Sequence, residues 1–343
     1  MLWITWRQFR AQTIVAVAAL AATAVTLTLS GLHIARLYTV SIAGCEARRD
    51  CGAARQNFLT QVNASLGSHL PLLFGTALVA VPAVIGIFWG APLLTRELES
   101  GTHRLAWSQG FTRTRWLVVN LVVIGAASMA AAGLFSLMVT WSASRIDAVN
   151  MNWLQPTVFS ERGIVPVGYA AFAFALGVSA GMLIRRTVPA MAVTLAVFTA
   201  AQFAMRAVRQ YLISPAHVTA PITGLTSMGI RMAPSGSGQL SVTPSASIPG
   251  AWILGNQTVN AAGQAAGSIT VPATGPLSIQ ACAAGQASPQ ACLAGLYKAG
   301  YRQLLTYQPA SRFWAFQWYE TAIFLALAVA LAAFCIWRVR RTS

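Results

Sequence analysis

The chain has 343 residues, 56% of them hydrophobic and only 9% charged, with 23 Lys and Arg against 7 Asp and Glu for a formal net charge of +16 at pH 7. Soluble domains carry roughly a quarter charged residues, so the composition excludes an ordinary soluble protein and sets length to counting membrane helices. The basic excess sits at the ends of apolar runs and in their connections, where cations meet lipid headgroups, and so gives no reason to expect a nucleic-acid partner.

The first residues, MLWITWRQFRAQ, hold Trp3, Trp6, Arg7, Phe9 and Arg10. At about 100° per residue, Leu2, Trp6 and Phe9 share one arc with Trp3 and Arg10 at its edge, the pattern of a short helix lying in the headgroup layer. No small-residue cleavage site follows and the next apolar run has full spanning length, so the segment reads as a retained anchor.

Six spans are expected: Thr13 to Leu32, Leu70 to Leu94, Trp116 to Thr140, Gly163 to Ile184, Thr187 to Met205, and Phe313 to Trp337. Each is near the roughly 20 residues that cross about 30 Å of hydrocarbon. Cys45 and Cys51 lie in the first connection with Glu46, Arg48, Arg49 and Asp50, a mixed-charge cluster that reads as solvated. The second connection, TRELESGTHRLAWSQGFTRTR, is far richer in charge. Helix two is expected to run on through Arg96, Glu97 and Glu99, break at Gly101, restart with Thr102 as N-cap, and break again at Gly110. Such a charged hook is more than a turn needs, because Arg185 and Arg186 alone join spans four and five; it suits docking of a soluble partner, with Leu105 and Trp107 as apolar anchors.

Within span four, GVSAG matches the G-x-S-x-G nucleophile pattern but lies inside a membrane helix, so Gly177 and Gly181 read as a close-packing pair. After span five, Ser235 to Pro276 is rich in Ser, Gly, Thr and Pro with β-prone pieces GQLSV, AWIL and GSITV, and from Leu277 onward one or two short helices are expected, broken near Pro289 and Pro309. This insertion reads as a small folded cap. In span six, Glu320 is the one charge inside any expected span. A membrane carboxylate usually faces a bundle interior or aqueous cavity; beside Trp314, Trp318 and Tyr319 it could equally stay hydrated at the aromatic belt.

Dense positive charge in short connections sets orientation. With the N-terminus inside, Arg7 and Arg10, the hook, the Arg185–Arg186 turn and the tail WRVRRTS all face the cytoplasm. Cys45, Cys51, Cys282 and Cys292 then lie on the oxidising side as disulfide candidates. Three pairings are possible, and the two local ones close the shortest loops. Cys335 lies in the last span as a small apolar residue.

Chemistry on the chain is sparse. Lys298 is the only lysine and is followed by Ala and Gly, which excludes a G-x-x-x-x-G-K-[ST] phosphate loop, and His33, His69, His103 and His217 are scattered with no metal-ligand spacing. No catalytic, metal or cofactor site is expected in this chain.

The hook resembles that of the ABC type-2 permeases, the membrane subunits of ABC exporters, in which helix two is followed by a segment like Arg-Glu-x-Glu-x-Gly-Thr and a leucine-containing short helix. Arg96, Glu97, Glu99, Gly101, Thr102 and Leu105 match it here, with Arg104 beside them. The aromatic and basic N-terminus is similar to that family's elbow helix. The resemblance implies an all-α integral membrane protein of six transmembrane helices with an N-terminal interfacial helix and both termini cytoplasmic in the cell membrane. It also implies contact with a separate ATP-binding cassette subunit holding ATP and Mg, and association of two permease copies as a homodimer or pair. An amphipathic drug, lipid or peptide would be moved outward. Two departures stand out: WSQG replaces the proline many members carry after the leucines, and an extracellular insertion of mixed α/β character separates helices five and six. The expected division is 1–212, 213–311 and 312–343. The alternative reading is a membrane-anchored sensor or assembly factor with an extracellular ligand-binding domain.

Overall fold

A computed structural model describes residues 2–42, 45, 51–64, 66–93, 95, 113–151, 153–221, 229–234, 240–245, 248, 250–265, 269–270, 297–298 and 300–341. In chain order its helices are α1 (Leu2–Ser41), α2 (Gly52–Ala64), α3 (Leu66–Ile85, continued by a π turn at Gly86–Gly90), α4 (Arg113–Asn150), α5 (Pro156–Glu161), α6 (Val165–Ile184), α7 (Thr187–Val208) and α8 (Phe313–Arg341). Among the described residues six helical segments are long and apolar enough to cross a membrane: Thr13–Ser41, Leu73–Leu93, Thr114–Asn150, Val165–Ile184, Thr187–Tyr211 and Ala310–Arg341. Each coincides with an expected span.

Helix ends are where the expectation needs correction. The N-terminal aromatic segment, which holds Trp3, Trp6, Arg7, Phe9 and Arg10, is not a separate interfacial helix; it is the start of α1, which is unbroken because no Gly or Pro interrupts the sequence between Leu2 and Ser30. At the other end, α1 and α4 run on to Ser41 and Asn150, well past Leu32 and Thr140. At about 1.5 Å per residue both exceed the hydrocarbon thickness. Their extensions are held by packing: Ile34 of α1 and Ile42 just after it bury against Phe58 and Val62 of α2, with Ile146 and Val149 of α4 against the same cluster. Tyr38 meets Phe58 edge-on at 5.7 Å, and the Cys45–Cys51 disulfide closes the connection to α2.

Helix α6 is the axis of the bundle. It is apolar on every face and almost every residue of it is buried, as a helix with no polar face should be. Its neighbours come close through glycine. A Cβ on Gly86 would lie 2.6 Å from the Ala173 carbonyl oxygen, one on Gly90 2.6 Å from that of Phe174, and one on Gly181 2.7 Å from that of Ala91, while Gly177 makes room for the Gly86 carbonyl. The GVSAG stretch is thus helix packing, as expected. The π turn falls where Gly86 and Gly90 admit α6 and just ahead of Pro92, whose ring would crowd the Phe88 carbonyl in regular α geometry.

The described residues form two compact units, one of Met1–Asn150, Pro156–Leu212 and Trp314–Ser343, the other of Met151–Gln155 and Ile213–Phe313. In the second unit β6 (Arg302–Gln308) lies between β1 (Ala216–Pro221) and β4 (Trp252–Val259), antiparallel to both, with a bulge between Ile253 and Gly255. A second antiparallel sheet has the order β2 (Gly229–Pro234), β3 (Leu240–Ser245), β5 (Ile269–Thr270). Strands β3, β4 and β5 overlap the three β-prone pieces. The expectation of helix from Leu277 to Pro309 is corrected at Arg302–Gln308, which is the central strand: Gln303, Leu305 and Gln308 point inward, and Gln303 and Gln308 bond to Thr258 (2.9 Å) and to the Ile213 carbonyl (2.6 Å).

Candidate functional site

The charged hook itself, with Arg96, Glu97, Glu99, Gly101, Thr102, Arg104 and Leu105, lies outside the described residues, as do Cys282 and Cys292. Its two ends are described. Leu93, just past the π turn that continues α3, and Leu117 at the start of α4 bury in one cluster with Met182 of α6 and Cys335 of α8. Thr95 is fully buried, bonds back to the Ala91 carbonyl (3.1 Å) and accepts from Thr187 (2.8 Å), the first residue of α7. Between α6 and α7, Arg185 makes the turn in the left-handed region at φ 58°. The hook therefore leaves and re-enters the bundle beside the Arg185–Arg186 turn and the basic end of α8 with Arg338, Arg340 and Arg341. Cys335 is a buried free thiol within 3.2 Å of the Ser179 hydroxyl.

At the opposite end of the bundle, α8 turns two different faces to its surroundings. Trp314, Trp318 and Tyr319 are exposed, whereas Gln317 and Glu320, three apart on the inward face, are fully buried. Gln317 fills the corner between α5 and α6. Its Oε1 accepts from the Ile164 and Val165 amides (2.9 and 3.1 Å), which begin α6, and its Nε2 donates to the Phe159 and Arg162 carbonyls (3.2 and 3.1 Å), which end α5. One side chain thus satisfies four backbone groups that helix ends leave open. Gly163, at φ 69°, supplies the bend, and Ser136 of α4 donates to its carbonyl (2.8 Å).

Glu320 answers the question its sequence position raised. It is not hydrated at the aromatic belt: it is fully buried and paired with Arg209, which follows α7, through Nε to Oε2 at 2.8 Å and Nη2 to Oε1 at 3.0 Å. Tyr169 of α6 donates its hydroxyl to the same carboxylate. Arg209 Nη2 also reaches Ser160 Oγ (3.1 Å), and its guanidinium lies over the Phe159 ring at 4.2 Å. A carboxylate and guanidinium withdrawn together from solvent are tenable only when each is hydrogen-bonded this fully.

A second charged pair lies next to the first. Arg162 donates Nε to Asp147 Oδ2 of α4 at 2.9 Å. Glu161 is 3% exposed and packs its carboxyl against Gly75 of α3, with Arg162 Nη1 3.9 Å away. Burial pushes the Glu161 carboxyl up to about 7, against the lowering pull of Arg162 and Arg206 and with a further push from Asp147.

Sequence reasoning found Glu320 but missed Arg209, Tyr169, Gln317, Asp147 and Glu161. One signal was present: Ala190, Thr194, Phe198, Gln202, Met205 and Arg209 recur at helical spacing and form the buried stripe of α7 and its final turn. The constellation holds elements together and offers no nucleophile with a base. Among the described residues no group of three His, Cys, Asp or Glu could hold a metal. Between α1, α3 and α4 lies an apolar cavity of about 700 Å³, lined by residues including Val15, Ala19, Val81, Phe88 and Phe135.

A family model described as ABC-2 membrane transporter related matches residues 17–209, more than half of the chain, from early in α1 to Arg209. No curated protein and no solved structure matches.

Proposed function

The chain belongs to the ABC-2 membrane transporter related family, and from that premise we propose that it is the permease half of an exporter driven by a separate ATPase through the hook at 96–105. Membership makes it a multi-pass membrane subunit of an ABC transporter, one that associates with an ATP-binding subunit and is not itself catalytic. The finer reading adds direction, substrate class, stoichiometry and orientation. Two copies associate, ATP and Mg are held by the partner ATPase, and both termini face the cytoplasm. An amphipathic drug, lipid or peptide moves outward.

The observation that carries this reading is the anchoring of the hook. The described residues at its two ends are anchored: Leu93, Trp116 and Leu117 pack with residues of α6 and α8, and Thr95 is bonded by Thr187 of α7. A push on the hook would therefore move α3 and α4 against the axial helix, the kind of two-state displacement that couples a distant site. Orientation is supported by Arg115, Arg185, Arg186, Arg338, Arg340 and Arg341 sharing that end of the bundle. The apolar cavity between α1, α3 and α4 suits the greasy part of an amphipathic molecule. By the same orientation the second unit, released after α7, is extracellular and gates export.

Reversing the hook carboxylates with Glu97→Arg and Glu99→Arg should leave the bundle folded and reduce copurification of the ATPase subunit about tenfold or more, as like charges meet across the contact. Undiminished copurification and transport by this double variant would remove the hook from the mechanism. Failure of the wild-type chain to bind any ATPase subunit would instead favour a membrane-anchored sensor.

A further inference from the structure

We propose that Glu161 is a proton-binding site which, by gaining or losing its proton, fastens or releases the short helix α5 against α3. The inference goes beyond transport and does not depend on which compartment faces that end of the bundle.

Three observations place it there. First, the carboxyl is pressed against the backbone of α3 at Gly75, where any side chain would collide with it. An ionised carboxylate in that position would lie against the helix backbone and lose much of its water, whereas a neutral carboxyl tolerates the contact better. Secondly, a resting place for the ionised form stands close by. Arg162 Nη1 is buried, makes no hydrogen bond among the described residues and lies 3.9 Å from Glu161 Oε2, just beyond bonding distance. Nε of the same guanidinium is already committed to Asp147. A small rotation away from Gly75 would bring the carboxylate onto Nη1. Thirdly, α5 is only six residues long and is fixed from its other side by Gln317 and by Arg209 through Ser160, so freeing Glu161 would loosen one edge without unfolding the corner.

Among the described residues the charged groups that face Glu161 are Arg162 from the α5–α6 turn, Asp147 from α4 and Arg206 from α7; Gly75 is the point of α3 against it, and Glu320 of α8 is held by Arg209. Asp147 favours the proton and the two arginines oppose it, but burial outweighs them, and the packed form holds its proton to about pH 7. Once α5 lifts, the carboxyl returns towards the ordinary range near 4.5. The packed state therefore binds the proton more tightly than the lifted state. Its advantage is complete below about pH 4.5, declines as pH rises and is gone above about pH 7. The proton leaves to bulk water, and no other bond is made or broken.

The test uses the purified full-length chain in lipid nanodiscs. Infrared difference spectra between pH 5 and pH 8 should show a carboxylic-acid C=O band lost with a midpoint near pH 7 in the wild type and missing from Glu161→Gln. Hydrogen exchange of a peptide covering residues 155–163, corrected for intrinsic rate, should quicken by up to roughly 50-fold over the same range. In Glu161→Gln exchange should stay slow throughout. A wild-type chain with no carboxyl band titrating above pH 6, or an equal quickening in Glu161→Gln, would overturn the proposal. Should Glu161→Gln fail to insert, Gly75→Ala decides. Its methyl must evict the carboxyl, so the midpoint should fall below about pH 5.5, and an unchanged midpoint would count against the site.

Discussion

At the scale of single residues, the pairing of Glu320 with Arg209 makes a quantitative claim. Both side chains are essentially inaccessible, and each is the other's neutralising partner. Removing one partner of a buried pair leaves an uncompensated charge and typically costs about 3–5 kcal/mol, whereas replacing both by apolar groups is often neutral. Glu320→Ala should therefore lower the thermal midpoint of the detergent-purified protein sharply. Combining Arg209→Met with Glu320→Leu should recover most of the loss, even though two side chains are then changed. A double variant as unstable as the single one would mean that the hydrogen bonds to Ser160 and Tyr169, rather than the charges, set the stability of this end. Sequence alone marked Glu320 as expensive and therefore interesting, but its partner is 111 residues away.

At the scale of elements, the decisive contacts are between backbones. Gly177 on α6 faces the Gly86 carbonyl of the π turn so closely that no methyl group fits without separating the helices. Gly177→Ala should destabilise the fold by about 1–3 kcal/mol through overpacking, read as a drop in thermal midpoint. Gly133→Ala provides the control: there the new Cβ would meet only Val167 Cγ2 at 3.4 Å, and the gain in helix propensity, up to about 1 kcal/mol, should offset any crowding. An equal loss in both would point to a general intolerance of the bundle rather than to this crossing. The glycine pair was legible in GVSAG because small residues four apart are the usual means of close helix approach in lipid. The π turn was not legible, since it depends on α6 already occupying the space beside Gly86 and Gly90.

At the scale of the whole molecule, the division into two units predicts which functions separate. Among the described residues, the buried clusters around Leu93, Leu27, Ile34 and Ala91 are built from the helical unit. Deleting Ser235 to Pro276 removes β3, β4 and β5 and, of the described strand pairs, leaves β1–β6. Hydrogen-exchange protection of α6 and α8 should survive the deletion, and so should ATPase binding. Export, or its coupling to ATP hydrolysis, should change if the strand unit gates release. Wild-type export and ATPase stimulation in the deletion would leave the unit without a gating role.

The number of membrane helices, their approximate limits and the close-packing glycines were all determined by the sequence, because the hydrophobic effect acts on runs of neighbouring residues and a bilayer fixes how long such a run must be. The charged hook stood out for the same reason, as a break in that pattern. The lengthened ends of α1 and α4, the α5–α6 corner under Gln317, the Arg209 pair and the protonatable Glu161 were decided only by the tertiary structure. Each joins residues far apart in the chain, and a buried polar group is tolerable only once the fold has brought its partners to it.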